Sequence, residues 1–128
     1  GEWEGLSRAE LLGRDGDEVA RWASDSAARP GGGETRIEVA DRVVAAITDG
    51  LDEVAESGTL VVATHGGAAR AGIGALLELP PEQWACLGVL SNCAWSILSE
   101  NTTGFGPAWR LQEYNAGSLP TPALADDR

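Results

Sequence analysis

The run Thr59–Leu60–Val61–Val62–Ala63–Thr64 constrains what this chain can fold into more than any other stretch. It is short, continuous and apolar, and it lacks the polar alternation of a strand with one wet face. Such a run is the pattern of a strand covered on both faces, as in a parallel sheet with helices packed on either side. Both flanks fit that reading. Upstream, Thr35 and Glu38 form a capping box, and Ile37, Ala40, Val44, Ile47, Leu51 and Val54 recur at spacings of three and four. That helix is expected to end near Ser57–Gly58, with Gly58 available for a left-handed cap. Downstream, His65, Gly66 and Gly67 lead into "AARAGIGALLEL", which returns to helical spacing until Pro80–Pro81 stops it.

The remaining segments extend the pattern. Ser7 and Glu10 form another capping box at the head of "SRAELLGRDGDEVARWASD"; Gly13 and Gly16 are expected to break that helix, leaving a second short one with Val19, Ala20, Trp22 and Ala23. Residues 26–34, "SAARPGGGE", read as a loop, and "PEQWACL" as a short helical turn. Residues 87–99 read as a strand and "AWRLQEYN" as another, with Trp109, Leu111 and Tyr114 as its apolar members and an alternation that slips near the end. "NTTGFGP" between them is a hairpin signal. The tail 117–128 is acidic and contains proline, and is expected to be disordered. Helix, strand, helix and two further strands make an α/β layered domain. About three strands are visible, few for a doubly covered sheet, so the fold is expected to be incomplete.

Composition removes several classes of function. At 128 residues and 43% hydrophobic content the chain is long and apolar enough for one globular domain. Its net charge is -11 and all nine basic residues are arginines. No basic patch is available to neutralise nucleic acid or an anionic membrane. No apolar run reaches membrane-spanning length and no signal-peptide pattern opens the chain. Cys86 and Cys93 do not make a disulfide framework, and with one histidine they cannot complete a four-ligand zinc site. They read as small buried hydrophobes in a reducing cytosol. The chain has no methionine and starts with glycine, as expected of a processed, cleaved or partial polypeptide.

His65 is the only histidine. In open α/β sheets, ligands bind outside the carboxyl ends of strands, where loops run into helix N-termini. His65 falls at such a place. Gly66 and Gly67 let backbone approach an anion, and their N–H groups are donors at the positive end of the next helix. An imidazolium beside them would stabilise phosphoryl oxygens. From local pattern alone, a strand-end histidine satisfied by backbone beside a tight glycine turn is the commoner case, since strand–Gly–Gly–helix turns are frequent.

"VVATHGGAARA" resembles the second-histidine motif of the histidine phosphatase, or phosphoglycerate-mutase-like, superfamily. "GEWEGLSRAEL" resembles that family's Gly-x-x-Glu-Gly segment, and "PGGGETRIEVADRV" its Gly-Gly-Glu-Ser helix start, with Thr35 where serine is usual. "LSNCAWSIL" resembles the Asn-Cys/Ala-Ser strand, with Ala94 placed before Trp95. The segments stand in family order and spacing over residues 1–115. "LELPPEQWACLGVLSNCAWSILSE" and "WRLQEYNAGS" resemble an actinobacterial branch that includes phosphatases of sugar-linked phosphoglycerate.

The resemblance implies a three-layer α/β fold with a mostly parallel central sheet, whose N-terminal strands are missing from this chain; residues 1–116 would be the C-terminal portion of the domain. It implies phosphomonoester hydrolysis in the cytoplasm through a phosphohistidine, without cofactor or metal. A first histidine in an Arg-His-Gly motif attacks phosphorus, two arginines and a second histidine hold the oxygens, and a carboxylic acid protonates the leaving group. Only the second histidine has a match, His65, with the Gly66 amide as its helper. The nucleophile, the clamp arginines and the acid have none, so the chain alone is expected to be inactive. Gly67, Glu34, Thr35, Trp3 and Asn92 are the further candidates around a substrate. Glu34 and Thr35 would stand at the pocket rim, Trp3 in the core or pocket wall, and Asn92 in the loop beside the site. Glu4 is read as a loop anchor, and Arg36, Arg42 and Arg70 as surface ion-pair partners. The implied partners are a small phosphorylated metabolite, the missing N-terminal half of the domain, and a second copy in a homodimer. A mutase and a non-catalytic phosphate-binding module are the alternative readings.

Overall fold

The computed structural model describes residues 1–117; nearly all of the expected tail, 118–128, lies outside the described residues. The elements are α1 (Arg8–Ser24), α2 (Arg36–Asp52), α3 (Gly66–Leu76), β1 (Trp95–Glu100) and β2 (Trp109–Ala116), with 3-10 turns at Pro30–Gly32 and Pro81–Cys86.

Both capping boxes form as the sequence predicts. The Glu10 carboxylate accepts from the Ser7 N–H at 2.8 Å, and Glu38 accepts from the Thr35 N–H at 2.9 Å. In return each hydroxyl receives the N–H three residues on. α1 does not break into two helices but kinks at Asp15, between Gly13 and Gly16. Two donors hold the kink: Trp3 Nε1 and Arg14 Nε both reach Asp15 Oδ2 at 2.8 Å. Trp3 meets Trp22 edge-on, and the Arg36 guanidinium lies 4.7 Å over the Trp22 ring. These aromatic and cation–π contacts tie the N-terminal segment to the head of α2.

α2 ends at Asp52, earlier than expected, and the left-handed residue beyond it is Ser57 (φ 67°). Gly58 serves close approach instead, since a Cβ there would stand 2.4 Å from Val54 Cγ1.

The core lies between α2, α3 and the Pro81–Cys86 turn. Ala40, Ala71 and Trp84 are its buried members, with Ile37, Ala75 and Leu79 packed against them. Small residues let the elements approach: a Cβ on Gly72 would stand 2.5 Å from Val43 Cγ1, and one on Gly74 2.5 Å from Trp84 Cδ1. Trp84 cannot yield easily, because its Nε1 donates to the Leu79 carbonyl at 2.9 Å. Gly74→Ala is therefore expected to destabilise despite its gain of about 1 kcal/mol in helix propensity. Overpacking of about 1–3 kcal/mol wins, and a thermal melt should show a Tm several degrees lower.

The strand expected at 59–64 is a segment without regular secondary structure that enters no sheet among the described residues. Val61 is 86% exposed and Val62 48%. A strand is defined by its ladder partner, and no described residue supplies one here. The strand expected over 87–99 is confined to its last third. Residues 88–94 are irregular, with a turn at Asn92–Cys93 and Cys93 at φ 60°. β1 pairs with β2 antiparallel, Glu100 opposite Trp109 and Trp95 opposite Ala116. This two-stranded sheet is the only one among the described residues, which form no parallel sheet. Cys86 and Cys93, expected to be buried, are both exposed free thiols. The first sits at the end of the Pro81–Cys86 turn and the second in the turn before β1.

Candidate functional site

The segment 59–64 leads to His65 at the start of α3, where it is the N-cap residue in β conformation (φ -94°, ψ 149°). Its carbonyl accepts the first helical bond, from Ala69 N at 2.8 Å, while its side chain makes no capping bond. The imidazole is thus exposed and uncommitted to its own helix. Gly66 and Gly67 follow as the first helical residues, exposed, with N–H groups that helix geometry leaves without an i−4 partner. Donor groups and the positive end of the helix dipole converge beside one imidazole, and an anion is what such a place suits.

Leu90 stands behind this turn. A methyl group on Gly66 would lie 3.4 Å from the Leu90 carbonyl oxygen and 3.5 Å from its Cβ. The head of α2 is adjacent, because Arg36 and Gly67 line a shared cleft of about 70 Å³ with Ser26, Arg70 and Trp84. The three arginines read as surface ion-pair partners differ. Arg42 holds Glu34 with two bonds of 2.9 Å, and Arg36 donates to the Trp22 carbonyl at 2.6 Å. Arg70 is half-buried and has no carboxylate partner among the described residues.

The other candidates are held by their own neighbourhoods. Glu34 sits at the α2 head, and the hydrogen bond from Arg42 lowers its carboxyl below the usual carboxylate range. Thr35 is a buried cap, its Oγ1 taking the Glu38 N–H at 3.1 Å. Trp3 is committed to Asp15 and Trp22. Asn92 is exposed in the turn before β1. Among the described residues, none of these four hydrogen-bonds to His65, Gly66 or Gly67. Glu4 is exposed and binds the Gly1 amino group at 2.6 Å, which lowers its carboxyl.

Sequence reasoning takes Tyr114 only as an apolar strand member and does not single out Asn115 or Ser91. Tyr114 donates its hydroxyl to the Gly88 carbonyl at 2.5 Å, and burial pushes its phenol up while Arg70 pulls it down. Asn115 Oδ1 accepts from Ser91 N at 2.8 Å. The slip in alternation at the end of "AWRLQEYN" was the available signal. Ser91 Oγ is buried with no hydrogen-bond partner among the described residues. An orphan hydroxyl costs about 1–3 kcal/mol of desolvation. Ser91→Ala is therefore expected to raise stability by about 1 kcal/mol, read as a higher urea midpoint with unchanged slope. No group of three His, Cys, Asp or Glu side chains among the described residues is placed to hold a metal. No helix among them is long and apolar enough to cross a membrane.

The sequence pattern described as Histidine phosphatase superfamily (branch 1) matches residues 1–116. The chain is 30% identical over 131 residues to the glucosyl-3-phosphoglycerate phosphatase of Mycolicibacterium vanbaalenii, covering 92% of this chain and 58% of that protein. The protein of that name from Mycobacterium tuberculosis is 30% identical over 132 residues, with the same coverage. This chain therefore spans 58% of the length of these curated relatives. Among solved structures, native mycobacterial glucosyl-3-phosphoglycerate phosphatase superposes with TM-score 0.79 at 32% identity, over 92% of this chain and 61% of that one. Its complex with inorganic phosphate gives 0.78 at 31%, over 91% and 59%. Bacillus stearothermophilus YhfR shares the fold, at TM-score 0.78 and 18% identity, over 92% of this chain and 56% of that one.

Proposed function

The chain belongs to the histidine phosphatase superfamily (branch 1), and from that premise we propose that it carries the second-histidine half of a phosphomonoesterase site. The observation that carries this reading is His65 as an exposed N-cap directly before the free amides of Gly66 and Gly67. Imidazolium and helix N-terminus together can hold phosphoryl oxygens while charge develops on them in the transition state. They do not provide an attacking group and a leaving-group acid at once. In this reading a first histidine, the clamp arginines and the acid come from residues outside this chain, and the phosphoryl group passes through a phosphohistidine. The partner is the rest of the same domain, which would pair with the bare segment 59–64 and build a mostly parallel sheet around it. The substrate is a small phosphorylated metabolite, with a sugar-linked phosphoglycerate favoured by the activity of the relatives. The setting is the cytoplasm. Glu34, Thr35, Trp3 and Asn92 stay in this proposal as the rim of the completed pocket.

The test is turnover of p-nitrophenyl phosphate by this chain, beside its His65→Ala variant. Equal, background rates are expected.

A further inference from the structure

Asn115 occupies an unusual place in β2. The pairing with β1 is irregular here: Trp95 faces Ala116 but Ile97 faces Glu113, which leaves one extra residue on β2. Within that bulge Asn115 takes a left-handed conformation, φ 53°, which asparagine tolerates better than most residues. Its backbone N–H donates to Ser96 Oγ at 3.1 Å, which fixes the bulge to β1. The side chain then turns onto the segment before β1. Oδ1 accepts from Ser91 N at 2.8 Å, and Nδ2 donates to the Val89 carbonyl at 3.3 Å. Tyr114 adds its bond to Gly88. Consecutive residues of β2 thus clamp residues 88–91, and Leu90 in the middle of that clamp is the residue set against Gly66.

We infer that Asn115 is a positioning residue for His65 and Gly66, acting through Leu90, a role that rests on the phosphate-site reading above. Asn115 touches no substrate in this scheme. It fixes the wall against which the His65–Gly66 turn rests, and so the direction in which the imidazole and the Gly66 amide face an anion. Both ends of the amide are used on backbone, so neither a hydrophobe nor a serine of smaller reach reproduces it. Positive φ adds a second restriction on what can stand there.

The single histidine makes the test clean. In the full chain labelled with 15N, backbone order parameters are measured at His65, Gly66 and the core residue Ala40, and the imidazole signal is followed as inorganic phosphate is added. Asn115→Gly accepts the backbone conformation but removes both amide bonds. Its order parameters at His65 and Gly66 are expected to fall from the rigid value of about 0.85 to below about 0.6, with Ala40 unchanged. Its phosphate response should weaken at least about fivefold. Asn115→Asp keeps the shorter bond, from Ser91 N–H, but sets a second acceptor against the Val89 carbonyl, so its order should lie between Asn115→Gly and wild type. Unchanged order at Gly66 in Asn115→Gly overturns the inference. So does equal loosening at Ala40, loss of the native spectrum, or no recovery in Asn115→Asp. A wild-type imidazole signal indifferent to phosphate would instead sink the phosphate-site reading, while the order parameters still decide the role of Asn115.

Discussion

Incubated with p-nitrophenyl phosphate, this chain is expected to release nitrophenol no faster than its His65→Ala variant, at least about 10⁶-fold below a competent enzyme of its kind. The size of the deficit follows from what His65 is placed to do. Breaking a P–O bond by the family's route needs an in-line nucleophile roughly 3 to 3.5 Å from phosphorus, neutralised oxygens and a proton for the leaving group. The head of α3 offers one imidazole and two backbone amides to the second of these needs. Glu34, at the head of α2, is held ionised by Arg42 and is a poor proton donor. Turnover above that of His65→Ala, or a phosphoryl group trapped on His65, would refute the assignment and make His65 the nucleophile.

The second large effect concerns the segment Leu60–Thr64. Its backbone makes no inter-strand ladder among the described residues, and Val61 and Val62 face solvent. A bare, β-branched edge of this kind is a template for another strand. The chain alone is therefore expected to self-associate at micromolar concentration, as seen by sedimentation velocity. Val61→Lys removes an apolar group worth about 1.5–3 kcal/mol when covered and places a charge on the edge. It should weaken association by roughly 10- to 100-fold, since each 1.4 kcal/mol is a factor of ten. A wild-type chain that stays monodisperse and monomeric at high concentration would speak against an edge awaiting a strand.

How much was legible in the sequence depended on the distance over which each feature is decided. The capping boxes at Ser7–Glu10 and Thr35–Glu38 are contacts within one helical turn, and both form as read. The hairpin from Trp95 to Ala116 was read from a short loop between two β-rich runs. Thr59–Thr64 depends instead on contacts far along the chain. Its composition reports what the segment is suited to, a position covered on both faces, and not whether the cover is there. Residues 87–94 differ from the strand expected because side chains of Tyr114 and Asn115, not a backbone ladder, hold 88–91 to β2. The site divided in the same way. His65, Gly66 and Gly67 are neighbours in sequence and were found together. The brace behind them joins Asn115 to residues 89 and 91, and no local pattern names partners so far apart.

The thinness of the core has a thermodynamic consequence. No large side chain among the described residues is fully buried, and three of the five buried hydrophobes are alanines. So small an apolar interior leaves little surplus over the conformational entropy of ordering the chain. Its folded population is then governed by mass action. Whatever binds the folded form and not the unfolded one raises stability in proportion to the logarithm of its concentration. A melting temperature for this chain is a property of the mixture it sits in, and folding and assembly become a single equilibrium.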